Sequence, residues 1–546
     1  MKRIFKVFAL CALVVAAASC SKSRAEQMKL AEKVDVKCNP EVLALVGDKI
    51  PADITVTYPA KYFHPKATLE VTPVLVYEGG EQTAQTFTYQ GEKVKDNYTV
   101  VPYDGGTVSE KVSFNYVKGV EKSYLELRSV AYYNGKAIEI PAIKVADGCN
   151  VTQLLATTSG EYGFKKDAYQ DVIKESAEGQ ILYDYNSANV KSNELRSSSV
   201  KELQAALEEI ASDPRYTVTG TKVIAYASPE GGQAYNAKLS DKRADSAKKA
   251  WKKVTGGMEA DNLEVQSVGQ DWEGFQEAVR NSDITDKELI LRVLSMYSDP
   301  AVRESEIRNM SQVYTEINKN VFPELRRARF IAEVDYQNFS DAELEELSRK
   351  AIDVLDEEAL LRVASKSEDP ARQAELYKTA VQKYGSDRAN FNLAVLSLNA
   401  GKTDEASRYL AAVKESDADV VNAKGVCEMR NGNYDAAEKL FKQSGTNEAK
   451  ANLGTLHLMQ GKYSQAASEL AGTGSHNATV AYILNNQLDK ASESITCNCA
   501  RSNYLRAIIA ARKGNSSDVA KYLEVAKKNA GFKAKAEKDV EFANYR

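Results

Sequence analysis

Cysteine and histidine side chains are the first candidates for chemistry in this chain, because they bind metal ions and serve as nucleophiles. Cys497 and Cys499 lie two residues apart, and Cys427 is distant from both. This is not the C-x-x-C spacing that is typical of zinc sites and redox motifs. The three histidines are far apart in sequence: His64, His457 and His476. The sequence therefore predicts no metal site and no cofactor.

The motifs of common enzyme classes are also absent. The chain has no HExxH, no glycine-rich phosphate loop followed by Lys and Ser or Thr, and no G-x-S-x-G. An enzyme whose site is assembled from distant residues is an alternative. We expect a protein that is not an enzyme.

Arg243 is the next candidate, because it is a charged residue on the apolar face of a helix predicted from about residue 233 to residue 254. The apolar stripe of that helix contains Leu239, Ala247, Ala250, Trp251 and Val254. A guanidinium that points inward needs a carboxylate or another anion nearby. It either forms an internal ion pair, or reaches out to solvent, or belongs to an anion-binding site.

Cys38 and Cys149 bracket the first predicted domain. In an oxidising compartment they are a candidate disulfide that closes this domain. The alternative is that both are small, buried hydrophobic side chains.

The N-terminal sequence MKRIFKVFALCALVVAAASC has the features of an export signal. Lys2, Arg3 and Lys6 form a positive region, and residues 7–18 form an apolar stretch. A helix that spans a bilayer needs about 20 apolar residues, so this stretch is too short. An ordinary secretory signal, cleaved after small residues, is one interpretation.

The end of this segment, Ala17-Ala18-Ser19-Cys20, resembles the lipobox of bacterial lipoproteins. The resemblance implies a signal peptide over residues 1–19, lipidation of Cys20 and a linker over residues 20–30. The acyl chains would hold the protein at a membrane.

The residues after the anchor, SKSRAEQ, contain neither an Asp next to Cys20 nor an acidic cluster. In lipoproteins an Asp next to the lipidated Cys retains the protein in the inner membrane, and an acidic cluster sends some of them to the cell surface. The resemblance therefore favours the outer membrane with the protein facing the periplasm. The formal net charge is -4 and no basic stripe is present, so we expect no nucleic-acid partner.

Residues 31–150 are predicted to form a β-sandwich. Runs rich in β-branched and aromatic residues alternate with turn sequences such as Gly79-Gly80 and Gly105-Gly106. Asn134-Gly135 is a signal for a two-residue hairpin.

Residues 155–338 are predicted to form an α/β domain, because extended segments alternate with amphipathic helices. Strands are expected at residues 181–185, 216–227 and 263–268, and helices follow the first two.

One stretch of this domain, KVIAYASPEGGQAYNAKLSDKRADSAKKAWKK, resembles the core motif of OmpA-like peptidoglycan-associated domains. The segments LYDYNSANV and ELRRARFIAEVDY resemble the family's flanking strands. Family members bind the diaminopimelate of the peptidoglycan stem peptide: an Asp pairs with its ammonium and an Arg with its carboxylate. The resemblance implies this fold and a possible contact with peptidoglycan.

The family's site is only partly kept in this sequence. Asn236, Leu239 and Arg243 match the motif, whereas Ser228 stands at the Asp position. Glu230 is a candidate replacement for that carboxylate. Residues 270–322 are predicted to be an insertion of two or three helices that could cover the ligand cleft.

Residues 340–546 are predicted to form an all-α solenoid. KTDEASRYL, NYDAAEKLF and KYSQAASEL repeat about every 30 residues, each after a glycine: Gly401, Gly432 and Gly461. Each copy has an Ala five residues after its Gly, and weaker copies follow at Asn486 and Gly514. The units resemble tetratricopeptide repeats, which stack and leave a concave groove for a partner. A rigid arm without a ligand is the alternative.

Together these features predict a multidomain, non-enzymatic envelope lipoprotein. In the leading hypothesis the α/β domain contacts peptidoglycan and the repeats bind a protein partner. In the alternative, the protein is an assembly or accessory factor for a surface complex and does not bind peptidoglycan.

Overall fold

The computed structural model describes residues 33–259, 262–284 and 286–546. The predicted signal peptide, Cys20 and the predicted linker therefore lie entirely outside the described residues. The chain divides into two compact units. One contains the described residues up to Lys165 together with Tyr377–Arg546, and the other is Lys166–Leu376.

The first unit begins with ten strands that form two sheets. They are Asp35–Asn39 (β1), Val42–Ala44 (β2), Lys49–Tyr58 (β3), Thr68–Tyr77 (β4), Gly80–Thr83 (β5), Phe87–Gln90 (β6), Thr99–Val100 (β7), Gly106–Asn115 (β8), Ser123–Tyr133 (β9) and Lys136–Asn150 (β10). One sheet has the order β1-β3-β8. The other has the order β2-β10-β9-β4-β6-β7, with β5 paired to β4.

The two sheets enclose a single apolar core, as the alternating sequence predicts. In β3, every second residue from Ile50 to Tyr58 is buried, and the residues that alternate with them are more exposed. They pack in one cluster with residues of the other sheet, such as Leu75 and Leu125. This region is therefore a β-sandwich.

The predicted hairpin at Asn134-Gly135 joins β9 to β10. Both residues have positive φ, 50° for Asn134 and 71° for Gly135, as a type I′ turn requires.

The second unit contains a four-stranded mixed sheet. Its elements are Val172–Leu182 (β11), Ser198–Ser212 (α1), Tyr216–Ala227 (β12), Gln233–Val254 (α2), Glu264–Gln270 (β13) and Arg327–Gln337 (β14). The strand order is β11-β14-β12-β13, in which β12 and β13 are parallel and β14 is antiparallel to both its neighbours. Val200 and Leu203 of α1 and Ala247 and Trp251 of α2 are buried in the core against this sheet.

The α/β architecture is therefore present, and β12 and α2 match their predicted positions. The first strand differs: it was expected at residues 181–185 but ends at Leu182. It begins earlier because its whole length pairs with β14, from Val172 opposite Gln337 to Leu182 opposite Arg327. Polar residues of β11, such as Lys174 and Glu178, mask this strand in the hydropathy pattern.

The inserted segment contains more helices than the two or three predicted. They are Trp272–Asn281 (α3), Lys287–Met296 (α4), Pro300–Asn309 (α5), Ser311–Asn320 (α6) and Phe322–Leu325 (α7). They form a separate small core around Phe275, Ile290, Ile317 and Phe322. Each helix is too short for a clear period, which explains the low count.

Two helices after the sheet also belong to the second unit: Asp341–Lys350 (α8) and Glu357–Lys366 (α9). Arg362 of α9 pairs with Asp341 (Nε to Oδ1, 2.8 Å), and Arg215 pairs with Glu343 of α8 (Nη2 to Oε1, 2.9 Å). The predicted boundary between residues 338 and 340 is thus not a boundary between compact units.

The helical array follows. Its helices are Pro370–Tyr384 (α10), Asp387–Asn399 (α11), Thr403–Ala412 (α12), Ala418–Arg430 (α13), Tyr434–Ser444 (α14), Asn447–Met459 (α15), Tyr463–Glu469 (α16), His476–Leu484 (α17), Leu488–Glu493 (α18), Ala500–Arg512 (α19), Ser516–Ala526 (α20) and Ala530–Ala536 (α21). From α11 to α20 they form successive pairs, as the repeat predicts. A short 3-10 helix, Val540–Tyr545, ends the chain.

The turn within each of these pairs contains one residue in the left-handed region. The φ values are 73° for Gly401, 80° for Gly432, 78° for Gly461, 55° for Asn486 and 74° for Gly514. Glycine and asparagine tolerate this conformation best. The small residue five positions later is fully or almost fully buried in every pair: Ala406, Ala437, Ala466, Ala491 and Val519.

The sandwich and the helical array form one unit because buried polar contacts join them. Gln153 bonds to both backbone groups of Gly47 at 2.9 Å and accepts from the hydroxyl of Tyr463 at 2.7 Å. At the end of the chain, Glu541 accepts from Asn150 and pairs with Arg512 (Oε1 to Nη2, 2.6 Å). Among the described residues, no helix is long and apolar enough to cross a membrane.

Candidate functional site

The predicted ligand-binding residues of the α/β unit lie where β12 ends and α2 begins. Ser228 and Asn236 are buried, and Asn236 donates to the carbonyls of Ser228 (3.1 Å) and Gly231 (2.6 Å). The side chain of Asn236 therefore holds the loop between strand and helix closed. Leu239, one turn further along α2, is only half-buried.

Glu230 has a buried partner of its own. Its carboxylate receives two hydrogen bonds from Arg326, Nε to Oε1 at 2.8 Å and Nη2 to Oε2 at 3.0 Å. The hydroxyl of Ser228 donates to the same carboxylate at 2.6 Å. Both side chains of the ion pair are at most 13% exposed. The candidate replacement for the family's Asp is thus engaged within the protein.

Arg243 is 1% exposed and donates to three backbone carbonyls. The acceptors are Ser187 (2.9 Å from Nε), Tyr226 (2.9 Å from Nη1) and Asp184 (3.2 Å from Nη2). The guanidinium also lies over the ring of Tyr183, 5.0 Å from its centroid. Burial lowers the pKa of Arg243 to about 10, so it is still charged at neutral pH. Carbonyl groups, rather than an ion pair or a free anion site, satisfy this buried charge.

The remaining cysteine prediction concerns the sandwich. Cys38 and Cys149 are both free and buried, so the predicted disulfide is not formed in the structure. Burial raises the pKa of Cys38 to about 11 and that of Cys149 to about 12. Both behave as the small hydrophobic side chains of the alternative interpretation.

One face of the helical array is bound by another segment of the chain itself. After the 3-10 helix Thr152–Leu155, residues 157–165 form a linker without regular secondary structure that crosses the array. Three linker residues, spaced four apart, are each bound through both backbone groups by one asparagine. Asn477 binds Thr157, Asn452 binds Glu161 and Asn392 binds Lys165, at 2.6–3.0 Å.

We call Asn392, Asn422, Asn452 and Asn477 the asparagine ladder. They lie on α11, α13, α15 and α17, and each is at most 9% exposed. Asn422 completes the ladder by donating to the carbonyl of Glu161 at 2.9 Å and accepting from Asn452 at 2.9 Å. An amide offers both a donor and an acceptor, so it matches the N–H and C=O of one extended residue.

Gly160 lets the linker pass close to the helices. Its φ is 80°, and a Cβ at this position would lie 2.6 Å from a methyl group of Val426. Arg430 donates to the carbonyls of Thr158 and Ser159 beside it. Residues 157–165 therefore occupy this stretch of the array, where a partner would otherwise have access.

Sequence reasoning missed the asparagine ladder. The available signal was the recurrence of Asn392, Asn422 and Asn452 at the same place in successive repeats, within otherwise apolar helices. A buried asparagine in an apolar helix needs a partner. The partner is a segment more than two hundred residues away in the chain, which a local pattern does not reveal.

A second group missed by the sequence pattern lies between α17 and α19. The ligand-type atoms of His476, Cys497 and Cys499 are within 4.8 Å of one another, the one such group found among the described residues. Ser502, fully buried, contacts all three. The sequence predicted no metal site here because Cys497 and Cys499 lack the C-x-x-C spacing. The third side chain, His476, comes from the preceding repeat, so its proximity was not visible in the spacing.

No protein-family model matches the chain, and no curated protein matches it. Among solved structures, it is similar to a tetratricopeptide repeat protein from Parabacteroides merdae, with 16% identity and a TM-score of 0.30, over 36% of this chain and 90% of that one. It is also similar to PilW, a type IV pilus biogenesis factor, with 17% identity and a TM-score of 0.23, over 35% of this chain and 84% of that one. Likenesses of this size carry no functional conclusion. The helix pairs and their left-handed turns identify the repeat array in this chain.

Proposed function

We propose that the protein is a non-enzymatic scaffold of the cell envelope, anchored by acyl chains on Cys20, that binds protein and does not bind peptidoglycan. This proposal keeps the scaffold of the leading hypothesis and shares with the alternative the absence of peptidoglycan binding. The observation that carries it is the internal pairing of the charged groups at the predicted peptidoglycan site.

A stem peptide offers an ammonium and a carboxylate to a site of the OmpA-like type. To receive them, Glu230 would have to leave Arg326, and Arg243 would have to leave three carbonyls. Leaving a buried polar group unsatisfied costs about 1–3 kcal/mol, and more when the group is charged. We therefore propose that the α/β unit has the fold of OmpA-like domains but does not bind their peptidoglycan ligand.

The helical array supports the scaffold part of the proposal. Its asparagine ladder holds the linker, and Gln153 and Glu541 tie the array to the sandwich. We infer that a protein partner contacts this rigid unit on surfaces other than the stretch occupied by residues 157–165.

Location at the outer membrane, facing the periplasm, is also proposed. It is supported by the lipobox-like sequence and by the residues that follow Cys20. Metabolic labelling with palmitate should label the wild type and a Cys11→Ala variant, because Cys11 precedes the cleavage position. The Cys20→Ala variant should remain unlabelled. Undiminished labelling of that variant would refute lipidation.

Sedimentation with purified sacculi tests the peptidoglycan part. The full chain should stay in the supernatant, as should an Arg243→Lys variant. If the wild type sediments with sacculi and the variant does not, the peptidoglycan hypothesis is correct and this proposal is wrong.

A further inference from the structure

Four side chains at the junction of the last two helix pairs present their polar atoms to one point. His476 is the first residue of α17, and Cys499 is the N-cap of α19. Cys497 lies in the loop before α19, and Ser502 lies in its first turn. Two consecutive repeats thus contribute to one cluster: the first supplies His476, and the second supplies Ser502 together with the cysteines that precede its first helix.

The distances between these atoms describe a compact tetrahedron. The Sγ atoms of the two cysteines are 3.3 Å apart, and they lie 3.6 Å (Cys497) and 3.4 Å (Cys499) from Nε2 of His476. The Oγ atom of Ser502 lies 3.0 Å from Nε2, 2.9 Å from Sγ of Cys497 and 3.4 Å from Sγ of Cys499. All six edges therefore fall between 2.9 and 3.6 Å.

We propose that His476, Cys497, Cys499 and Ser502 form a Zn²⁺ site. The centre of a tetrahedron of this size is about 2 Å from each corner, close to the usual zinc distances of about 2.0–2.1 Å to nitrogen and about 2.3 Å to sulfur. Tetrahedral coordination by sulfur and nitrogen is the geometry typical of zinc, and hard cations such as Mg²⁺ prefer oxygen ligands.

Binding is a ligand exchange without electron transfer. Cys497 and Cys499 each release one proton to solvent, and the two thiolates form bonds to Zn²⁺. The imidazole of His476 donates the lone pair of an unprotonated Nε2. Ser502 supplies a neutral hydroxyl oxygen, so the two negative sulfurs balance the charge of the ion.

The site would join the last two helix pairs directly. Three of its ligands, His476, Cys497 and Ser502, line a cavity of about 290 Å³. The cavity is also lined by Thr157 and Glu161, two residues that the asparagine ladder binds. Zinc would therefore stabilise the C-terminal end of the array beside the linker. This inference does not depend on lipidation or on the proposed function.

Metal analysis of the full chain, purified under reducing conditions and titrated with Zn²⁺, tests the site. We expect about one equivalent of tightly bound zinc per chain. Replacing Zn²⁺ by Co²⁺ should give the d–d bands of tetrahedral cobalt together with thiolate-to-cobalt charge transfer. Thr496→Ala is the matched control, because it changes the same loop without removing a ligand, and its binding should equal that of the wild type.

The variants Cys497→Ser and Cys499→Ser should each weaken zinc binding by more than about 100-fold, since loss of an outer partner alone costs about 10–100-fold. Their far-ultraviolet circular dichroism should match the metal-free wild type, which separates lost binding from failure to fold. Zinc binding by the Cys497→Ser/Cys499→Ser double variant at the wild-type level would overturn the proposal. A disulfide between Cys497 and Cys499 in protein isolated from the envelope would overturn it too.

Discussion

The helical array and the α/β unit both bury polar side chains against backbone atoms, but the side chains differ in kind. In the array, neutral amides such as Asn452 donate to and accept from a single linker residue. In the α/β unit, the charged guanidinium of Arg243 donates to three carbonyls from two separate parts of the chain. Because an amide can pair with the N–H and C=O of any extended residue, the asparagine ladder recognises backbone conformation rather than particular side chains. The guanidinium of Arg243 fixes the loop after β11 and the end of β12 in one arrangement, and a charged group loses more hydration than an amide when it is buried.

The largest effect is expected from removing the buried charge. Arg243→Met keeps much of the volume of the side chain but removes three hydrogen bonds, those to the carbonyls of Ser187, Tyr226 and Asp184. The free energy of unfolding of the α/β unit should fall by about 3 kcal/mol.

Urea denaturation followed by tryptophan fluorescence measures this change, because both tryptophans, Trp251 and Trp272, lie in the α/β unit. Lys242→Met is the matched control, since Lys242 is the exposed neighbour of Arg243 on the same helix. An equal midpoint for Arg243→Met and wild type would show that the three carbonyls do not need the guanidinium.

A smaller and more local effect is expected in the asparagine ladder. Asn452→Ala removes two hydrogen bonds to Glu161 and one to Asn422. The free energy needed to release the linker should fall by about 2 kcal/mol, so its amides should exchange with deuterium about 30-fold faster. Asn431→Ala, an exposed position at the end of α13, should leave exchange unchanged. Faster exchange in both variants would mean that the ladder is not what holds the linker.

The smallest effect on stability is expected from replacing the buried carboxyl group of Asp539 by an amide. Burial raises the pKa of Asp539 above its ordinary 3.8, against a hydrogen bond from Tyr504 that lowers it. A raised carboxyl pKa in the folded state means that stability from this group is lost as pH rises from 3.8 through the folded-state pKa. Asp539→Asn should therefore stabilise the first unit at neutral pH.

The same variant should have no such advantage below pH 3.8, where the carboxyl is protonated in both states. Thermal unfolding followed by circular dichroism at both pH values measures the difference. A variant that is less stable than wild type at neutral pH would indicate that Asp539 gains more from its neighbours than it loses by burial.

The sequence alone predicts the elements whose side chains repeat with a clear period. The strand β12, the helix α2 and the turns at Gly401, Gly432 and Gly461 lie where the pattern indicates them. These elements depend on local rules of backbone conformation and on one buried face, both of which are visible in a short window of sequence.

The contacts of the candidate sites could not be predicted in the same way. The inward position of Arg243 follows from the helix period, but its acceptors are carbonyls, which every residue has and no pattern marks. The partner of the asparagine ladder is likewise backbone. His476 joins Cys497 and Cys499 only because two repeats stack, so spacing along the chain gives no indication of their distance.

The path of residues 157–165 has a consequence for how the protein is made. The sandwich and the linker are synthesised before the α/β unit, whereas Asn392, Asn452 and Glu541 follow after it. The α/β unit is thus an insertion within a unit built from both ends of the chain. A polypeptide truncated before Glu541 would leave Asn150 and Thr152 without their carboxylate partner, so the first unit is completed only after the α/β unit and the helical array have been synthesised.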